Sequence, residues 1–188
     1  MSHEIWLIRH GETAWSLSGA HTGLTDLPLT PAGEARAAKI ADSLTGQSFA
    51  LVLTSPLQRA HRTCELAGFG AVAEIEPNLV EWNYGEYEGL TTDQIRRDRP
   101  GWTVFGDGVP GGETVEQVAV RAQAVIDRAL AVDGNVALFA HGHILRIMAS
   151  VWLGLEPHSA RFFALSTAAI SRLGYERETR VITCWNLT

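Results

Sequence analysis

Apolar residues in this chain follow two rhythms: short unbroken runs, and longer stretches that repeat at helical spacing. Ile5-Trp6-Leu7-Ile8, Leu51-Val52-Leu53 and Val136-Ala137-Leu138-Phe139-Ala140 do not alternate with polar residues. That is the pattern of strands buried on both faces of a sheet, and it predicts strands over 4–8, 50–54 and 135–140. Elsewhere the period is that of a helix. Val115, Val118, Ala122, Val125 and Ala129 share one face behind a Thr114/Gln117 capping box. Thr30-Pro31 pairs an N-cap with a proline at the first helical position and opens a helix to about Leu44. Ser55-Pro56-Leu57-Gln58 combines N-cap, N1 proline and capping box, predicting a helix from Pro56 that stops near Gly68. Thr91 with Gln94 caps a short helix, and another runs from His143 to about Leu153, ahead of Gly154. Residues 71–76 read as a weaker strand, and 168–175 and 180–185 as the last two. Residues 14–29 read as a long loop, 79–90 as a loop leading to the Thr91 helix, and 100–112, with five glycines and two prolines, as a loop. Strands alternating with helices predict an α/β fold, a three-layer α/β/α sandwich on a mostly parallel central sheet. The length of 188 residues suits one domain, 1–188.

Composition narrows the partners. A formal charge of −6 argues against non-specific nucleic-acid binding, which needs a basic surface to displace counterions. No apolar run approaches the length of a membrane span, and no basic-then-apolar leader opens the chain, so a cytoplasmic protein with no membrane partner is expected. Cys64 and Cys184 read as small core residues rather than a disulfide or metal pair. Fourteen of the fifteen basic side chains are Arg, the residue that grips anions bidentately. Six Trp would serve a core or an interface equally, which leaves a homodimer open.

Three predicted strands end in chemistry: Arg9-His10 after the first, Ser55 to Arg59 after the second, His141-Gly142-His143 after the strand at 135–140. In a parallel sheet the carboxyl ends of strands share one edge, so these residues converge despite their separation in sequence. Two guanidinium forks and two imidazoles make a cationic pocket suited to a phosphoryl group. The helix starts near Pro56 and His143 add backbone donors toward an anion. An unprotonated imidazole is also a competent nucleophile near neutral pH.

Arg9-His10-Gly11-Glu12-Thr13, Ser55-Pro56-Leu57-Gln58-Arg59-Ala60 and Phe139-Ala140-His141-Gly142-His143 resemble, in that order and across nearly the whole chain, the histidine phosphatase superfamily, which includes the phosphoglycerate mutases. The resemblance implies a phosphoglycerate mutase-like fold with His10 as the phosphorylated nucleophile. It also implies that Arg9, Arg59 and His141, with Gly142 beside them, hold the phosphate. Glu81, in Leu79-Val80-Glu81-Trp82-Asn83-Tyr84-Gly85, would be the acid/base, and Ser16 and Thr22 would stand near the phosphate. Arg146 would meet a distal group of the substrate. Arg62, one helical turn beyond Arg59, either lines the pocket or forms a surface ion pair. His141 and His143 lack a third ligand at metal-binding spacing, so no metal and no cofactor are expected. His3, His61 and His158 read as surface residues, and Glu86 and Glu88 as a solvated loop face.

The expected partner is a small phosphorylated substrate, and three activities compete for it. Thr92 stands where the mutases carry a Lys, and no Arg follows Pro100 before Arg121, although Arg96-Arg97 lie on the short helix just upstream, so the chain departs from the mutase pattern that grips a substrate carboxylate. The segments at 15–30 and 81–89 resemble instead the fungal sedoheptulose bisphosphatases and mycobacterial acid phosphatases of the same superfamily. The reading is therefore a phosphatase, with sugar phosphates as the leading substrates. A phosphoglycerate mutase is the alternative, and a non-catalytic phospho-ligand module the third. Catalysis with His10 unprotonated and Glu81 protonated predicts a bell-shaped or acid-shifted pH profile.

Overall fold

The computed structural model describes residues 3–188. The apolar runs form β1 (Ile5–Arg9), β2 (Leu51–Thr54) and β4 (Val136–Ala140), joined by a two-residue β3 (Glu74–Ile75) and by β5 (Ile170–Glu176) and β6 (Thr179–Leu187). Strand order is β3-β2-β4-β1-β5-β6. The first four in that order are mutually parallel, and β5 and β6 complete the sheet antiparallel. Continuous apolar runs make sense here because successive side chains point to opposite faces and both faces are covered. From β1, Ile5 and Leu7 enter the core built by α6 (Val115–Leu130) and α7 (Gly142–Trp152). Trp6 and Ile8 enter a second core with Ile40 and Leu44 of α2 (Pro31–Leu44) and Cys64 of α3 (Gln58–Leu66). Each fully buried Leu or Ile contributes about 1.5–3 kcal/mol, so a polar residue at any of the four positions would be costly. Trp6, Trp82, Trp102 and Trp152 lie in the core, which assigns four of the six Trp to packing. Burial pushes the Cys64 thiol up to about 12, consistent with its reading as an inert core residue.

Register is what positions the site. Arg9 lies opposite Ala140, and Thr54 opposite Phe139, so the three parallel strands finish at one level. The first residue beyond each strand continues the ladder: His10 N–H donates to Ala140 O at 3.0 Å and Ser55 N–H to Phe139 O at 2.9 Å. His10, Ser55 and His141 therefore leave the sheet side by side. The loop after His10 is pressed against the start of α2. A Cβ on Gly11 would stand 2.5 Å from Gly33 O, and one on Gly33 only 2.2 Å from Glu12 O, so backbone meets backbone where any side chain would intervene.

The caps at Thr30, Thr91 and Thr114 form as the sequence predicts, each side chain accepting from the backbone N–H three residues on. Other expectations need correction. Residues 14–29 are not loop throughout: Thr13 and Ser16 form a reciprocal capping box that opens α1 (Ala14–Ser18). The segment 100–112 likewise contains a short helix, α5 (Val104–Asp107), capped by Thr103. The strand expected at 71–76 pairs only at Glu74 and Ile75. The helix expected from Pro56 begins at Gln58, and Ser55 is not its N-cap. Asp26, from a distant loop, accepts the Gln58 N–H on Oδ1 at 2.8 Å, while the Gln58 amide donates to Asp26 O at 2.7 Å. A tertiary cap replaces the local one because the Ser55 hydroxyl is engaged elsewhere. Among the described residues, no helix is long and apolar enough to cross a membrane.

Candidate active site

At the carboxyl end of β1, a half-open cavity of about 180 Å³ is bounded by Arg9, His10, Glu81, Gly142 and Arg146, with Ser16 and Thr22 on its wall. Seven of the ten site residues expected from the sequence thus face one space. Arg59 and His141 adjoin it: the His141 and His10 rings lie 5.1 Å apart, centroid to centroid. Arg62 does not join them. It is bound on the surface by Glu34 at 2.7 Å and Glu65 at 3.0 Å, so of its two readings the surface ion pair is the one the structure has.

His10 is buried, and its Nδ1 lies 2.6 Å from Gly11 O. A carbonyl only accepts, so Nδ1 carries the proton and Nε2 keeps the lone pair. Burial pushes the ring far below the usual histidine range. The Arg9 and Arg59 charges push the same way, against the smaller opposing pull of Gly11 O. His141 is driven down similarly by burial first, then by Arg59, His10 and Arg9. Both rings are neutral at pH 7.

The two cations differ in what they still offer. Arg9 donates through Nη1 to Leu165 O, but its buried Nε has no partner among the described residues. Its guanidinium lies against Gly142, where a Cβ would come within 3.3 Å of Nε and Cζ. A buried donor left open in this way is what an anion's oxygen satisfies. Arg59 is already engaged. Nη1 donates to Thr25 O at 2.9 Å, Nη2 to Gly23 O at 2.8 Å and Thr22 O at 3.3 Å, and Nε to His141 Nδ1 at 3.1 Å. It clamps the loop 22–25, which Glu88 holds from the other side by accepting from Gly23 N–H and Thr25 N–H. Glu88 is therefore a structural anchor and not the solvated face its sequence context implies.

Glu81 sits at the N-terminus of α7. Its Oε2 accepts from His143 N–H at 2.9 Å, and Oε1 accepts from Ile144 N–H at 3.0 Å and Trp82 N–H at 2.9 Å. A carboxylate from another element thus satisfies helix donors that His141, the N-cap residue, leaves open. The arrangement holds a carboxyl rigidly in the wall of the cavity that His10 faces.

Three residues of the distal wall carry no assigned role in the sequence reading: His21, Tyr84 and His143. The buried Tyr84 hydroxyl bonds His143 Nδ1, and the His21 ring packs on Tyr84 at 4.9 Å. Tyr84 is raised well above the usual phenol range by burial and by Glu81, while burial and Arg146 lower His143. The phenol therefore donates and His143 is a neutral acceptor at Nδ1. Tyr84 follows Glu81 by three residues and His143 closes the His141-Gly142-His143 string, while nothing local marks His21, and only the fold turns the three toward one cavity. His141 and His143 face different partners, Arg59 and Ser55 for the first and Tyr84 for the second. Arg146, one turn further along α7, stacks over Phe105 at 4.8 Å and donates from Nε to Ala160 O. Ser16 and Thr22 reach the wall with their hydroxyls bound locally, Ser16 to Thr13 O and Thr22 to Ala20 O.

The buried neutral rings make stability pH-dependent. In the unfolded chain His10 and His141 titrate near pH 6.5, whereas the folded protein keeps them neutral to much lower pH. Between those values the unfolded state binds more protons. Stability should therefore fall as the pH drops below about 6.5, by about 1.4 kcal/mol per pH unit for each ring, until the folded rings titrate. Urea midpoints measured between about pH 8 and 5 should decline on the acid side of 6.5. An unchanged midpoint there would contradict the neutral assignment.

The chain is similar to known proteins in sequence and in backbone. The family model of the histidine phosphatase superfamily (branch 1) matches residues 5–188. An acid phosphatase of Mycobacterium tuberculosis is 40% identical over 192 residues, covering 100% of this chain and 94% of that protein. The sedoheptulose 1,7-bisphosphatase of Saccharomyces cerevisiae is 35% identical over 182 residues, 79% of this chain and 67% of its own length. The solved structure of a Mycobacterium tuberculosis open reading frame superposes with a TM-score of 0.95 at 39% identity, covering 99% of this chain and 98% of that one. With sequence and backbone agreeing from β1 to the last strand, the chain belongs to branch 1 of the histidine phosphatase superfamily and is a phosphatase of that family.

Proposed function

We propose that the protein hydrolyses small phosphomonoesters, sugar phosphates foremost, through a phosphohistidine on His10 and without a metal ion. The observation that carries this reading is the pairing of an unprotonated His10 Nε2 with the unpartnered Arg9 Nε and the Glu81 carboxyl around one cavity. Nε2 attacks phosphorus in line with the ester oxygen. The N–P bond forms, the P–O bond breaks, and the departing oxygen takes its electron pair and a proton from Glu81. Arg9 and Arg59 balance charge on the equatorial oxygens, with the neutral His141 ring beside them, and this is most of what phosphoryl transfer asks of a protein. Glu81, now carboxylate, removes a proton from water as the water oxygen attacks phosphorus. The N–P bond breaks, phosphate leaves, and the acid is restored.

Sugar phosphates are favoured by the distal wall, where Arg146, His21, His143 and Thr22 offer hydrogen-bonding groups to a hydroxylated leaving group. The 35% identical yeast relative is itself named for a sugar bisphosphate. A mutase is disfavoured at Thr92: its hydroxyl lies 3.4 Å from His21 Nε2, so a neutral pair occupies the place of a carboxylate-binding cation. The deciding experiment is phosphate release from sugar mono- and bisphosphates, p-nitrophenyl phosphate and phosphoglycerate in EDTA. Metal-independent release, with sugar phosphates turned over best, is the expected result. Isomerisation of phosphoglycerate with little net release would transfer the assignment to the mutase. Phosphate binding without turnover would leave only a binding module.

A further inference from the structure

His141 presents a conflict with the role of phosphate holder. Both ring nitrogens are already bound to protein: Nδ1 lies 3.1 Å from Arg59 Nε, and Nε2 2.8 Å from Ser55 Oγ. A guanidinium only donates, so Nδ1 is the acceptor and the ring's single proton is on Nε2, given to Ser55. In that state His141 has no N–H for a phosphoryl oxygen. Burial and four nearby positive or titratable neighbours, Arg59, His10, Arg9 and Arg121, keep the ring from gaining a second proton.

The Ser55 hydroxyl resolves the conflict. It is fully buried at the end of β2, and it accepts both from His141 and, at 3.3 Å, from Leu57 N–H. Its own hydrogen has no acceptor among the described residues. A serine oxygen carries one donor and two acceptor sites, so it can answer either tautomer of the imidazole without moving. We propose that Ser55 is a positioning residue that acts through His141: it accepts from Nε2–H in the free site and donates to Nε2 when a phosphoryl oxygen takes Nδ1–H. The ring stays neutral throughout. The proton lost at Nε2 and the one gained at Nδ1 are exchanged with water, and Arg59 Nε is released to point at the same oxygen. This also accounts for the displaced cap of α3. Ser55 is withheld from the local capping box, and Asp26 supplies the acceptor for Gln58 N–H instead.

The inference rests on the phosphatase reading, and its test is arranged to fail separately. Nitrogen-edited NMR of 15N-histidine protein reads the His141 tautomer directly, without turnover. The expected result is Nε2–H in the free protein and Nδ1–H with saturating inorganic phosphate. In parallel, Ser55→Ala should lower kcat by roughly tenfold or more, short of the about 10²–10³-fold typical of losing a transition-state donor outright. Ser55→Thr, which keeps the hydroxyl, should restore it to within a few-fold. One tautomer in both states, or a Ser55→Ala that turns over at the wild-type rate, overturns the proposal. So does a folded Ser55→Thr as slow as Ser55→Ala, which would assign the loss to packing. If Ser55→Ala does not fold, the tautomer measurement on the wild type decides. A wild type that hydrolyses no ester removes the phosphatase reading alone, because the tautomer is observed whether or not turnover occurs.

Discussion

His10→Ala is expected to abolish hydrolysis of every phosphate ester the protein accepts, by about 10⁴-fold or more, while leaving the fold intact. Loss of a covalent nucleophile costs on this scale because the remaining donors can still bind the phosphoryl group but have nothing to transfer it to. The structure explains why the fold should survive. His10 is tied into the sheet through its backbone, N–H to Ala140 O and C=O from Ala168 N–H, and alanine keeps both bonds. Its side chain contributes one internal hydrogen bond, Nδ1 to Gly11 O. The measurement is turnover of p-nitrophenyl phosphate and a sugar phosphate beside a thermal melt, with acid-quenched wild type examined for phosphate on the imidazole. A folded His10→Ala within tenfold of wild type, or a label on another residue, would remove the phosphohistidine mechanism.

The second large effect is at Glu81, where two roles must be separated. As an acid, Glu81 matters most when the leaving oxygen is a poor anion. Glu81→Gln should therefore lower turnover of sugar phosphates by about 10²–10⁴-fold. With p-nitrophenyl phosphate the departing phenolate needs little protonation, so the first step should survive. The second step still needs a base, so the variant should release a burst of about one nitrophenol per active site and then stall. As a helix-capping group, Glu81 accepts three backbone N–H bonds. A glutamine has one acceptor oxygen and would aim its amide hydrogens at one of those donors, costing about 1–3 kcal/mol of stability. That cost falls on all substrates alike. Equal losses for both esters with no burst would show that Glu81 serves α7 alone.

The legibility of this chain differs from element to element. Strands β1, β2 and β4 are readable because residues buried on both faces must all be apolar, helix α2 because Thr30-Pro31 is a local N-cap with proline at N1, and helices α4 (Thr92–Asp98) and α6 because their Thr-x-x-Gln boxes are local chemistry. The Thr13/Ser16 box is equally local, but it has Ser where such boxes usually carry Glu or Gln, and it lies in a stretch whose Gly, Ser and Thr content suggests loop. The misplaced start of α3 has a different cause. Ser55-Pro56-Leu57-Gln58 is a complete capping signal, but the hydroxyl it depends on is claimed by His141, 86 residues away. Arg62 and Glu88 show the same limit from opposite directions. One is removed to the surface by Glu34 and Glu65, and the other is drawn inward by two backbone donors of the loop at Gly23 and Thr25.

By itself the sequence determined the class of fold, the strand ends at which chemistry gathers, and the residue types present there, because hydrophobic periodicity and capping act over a few residues. It also carried the family likeness through Arg9-His10, Arg59, Glu81 and His141-Gly142. Which donors remain open depends on contacts that the folded chain makes. Among the described residues Arg9 keeps an unpartnered Nε, Arg59 spends its donors on a loop, Glu81 anchors a helix, and Ser55 answers an imidazole while the Gln58 N–H turns to Asp26. The physical reason is that a buried hydrogen-bonding group must be satisfied by whatever the fold brings within about 3 Å, and sequence separation does not enter that requirement.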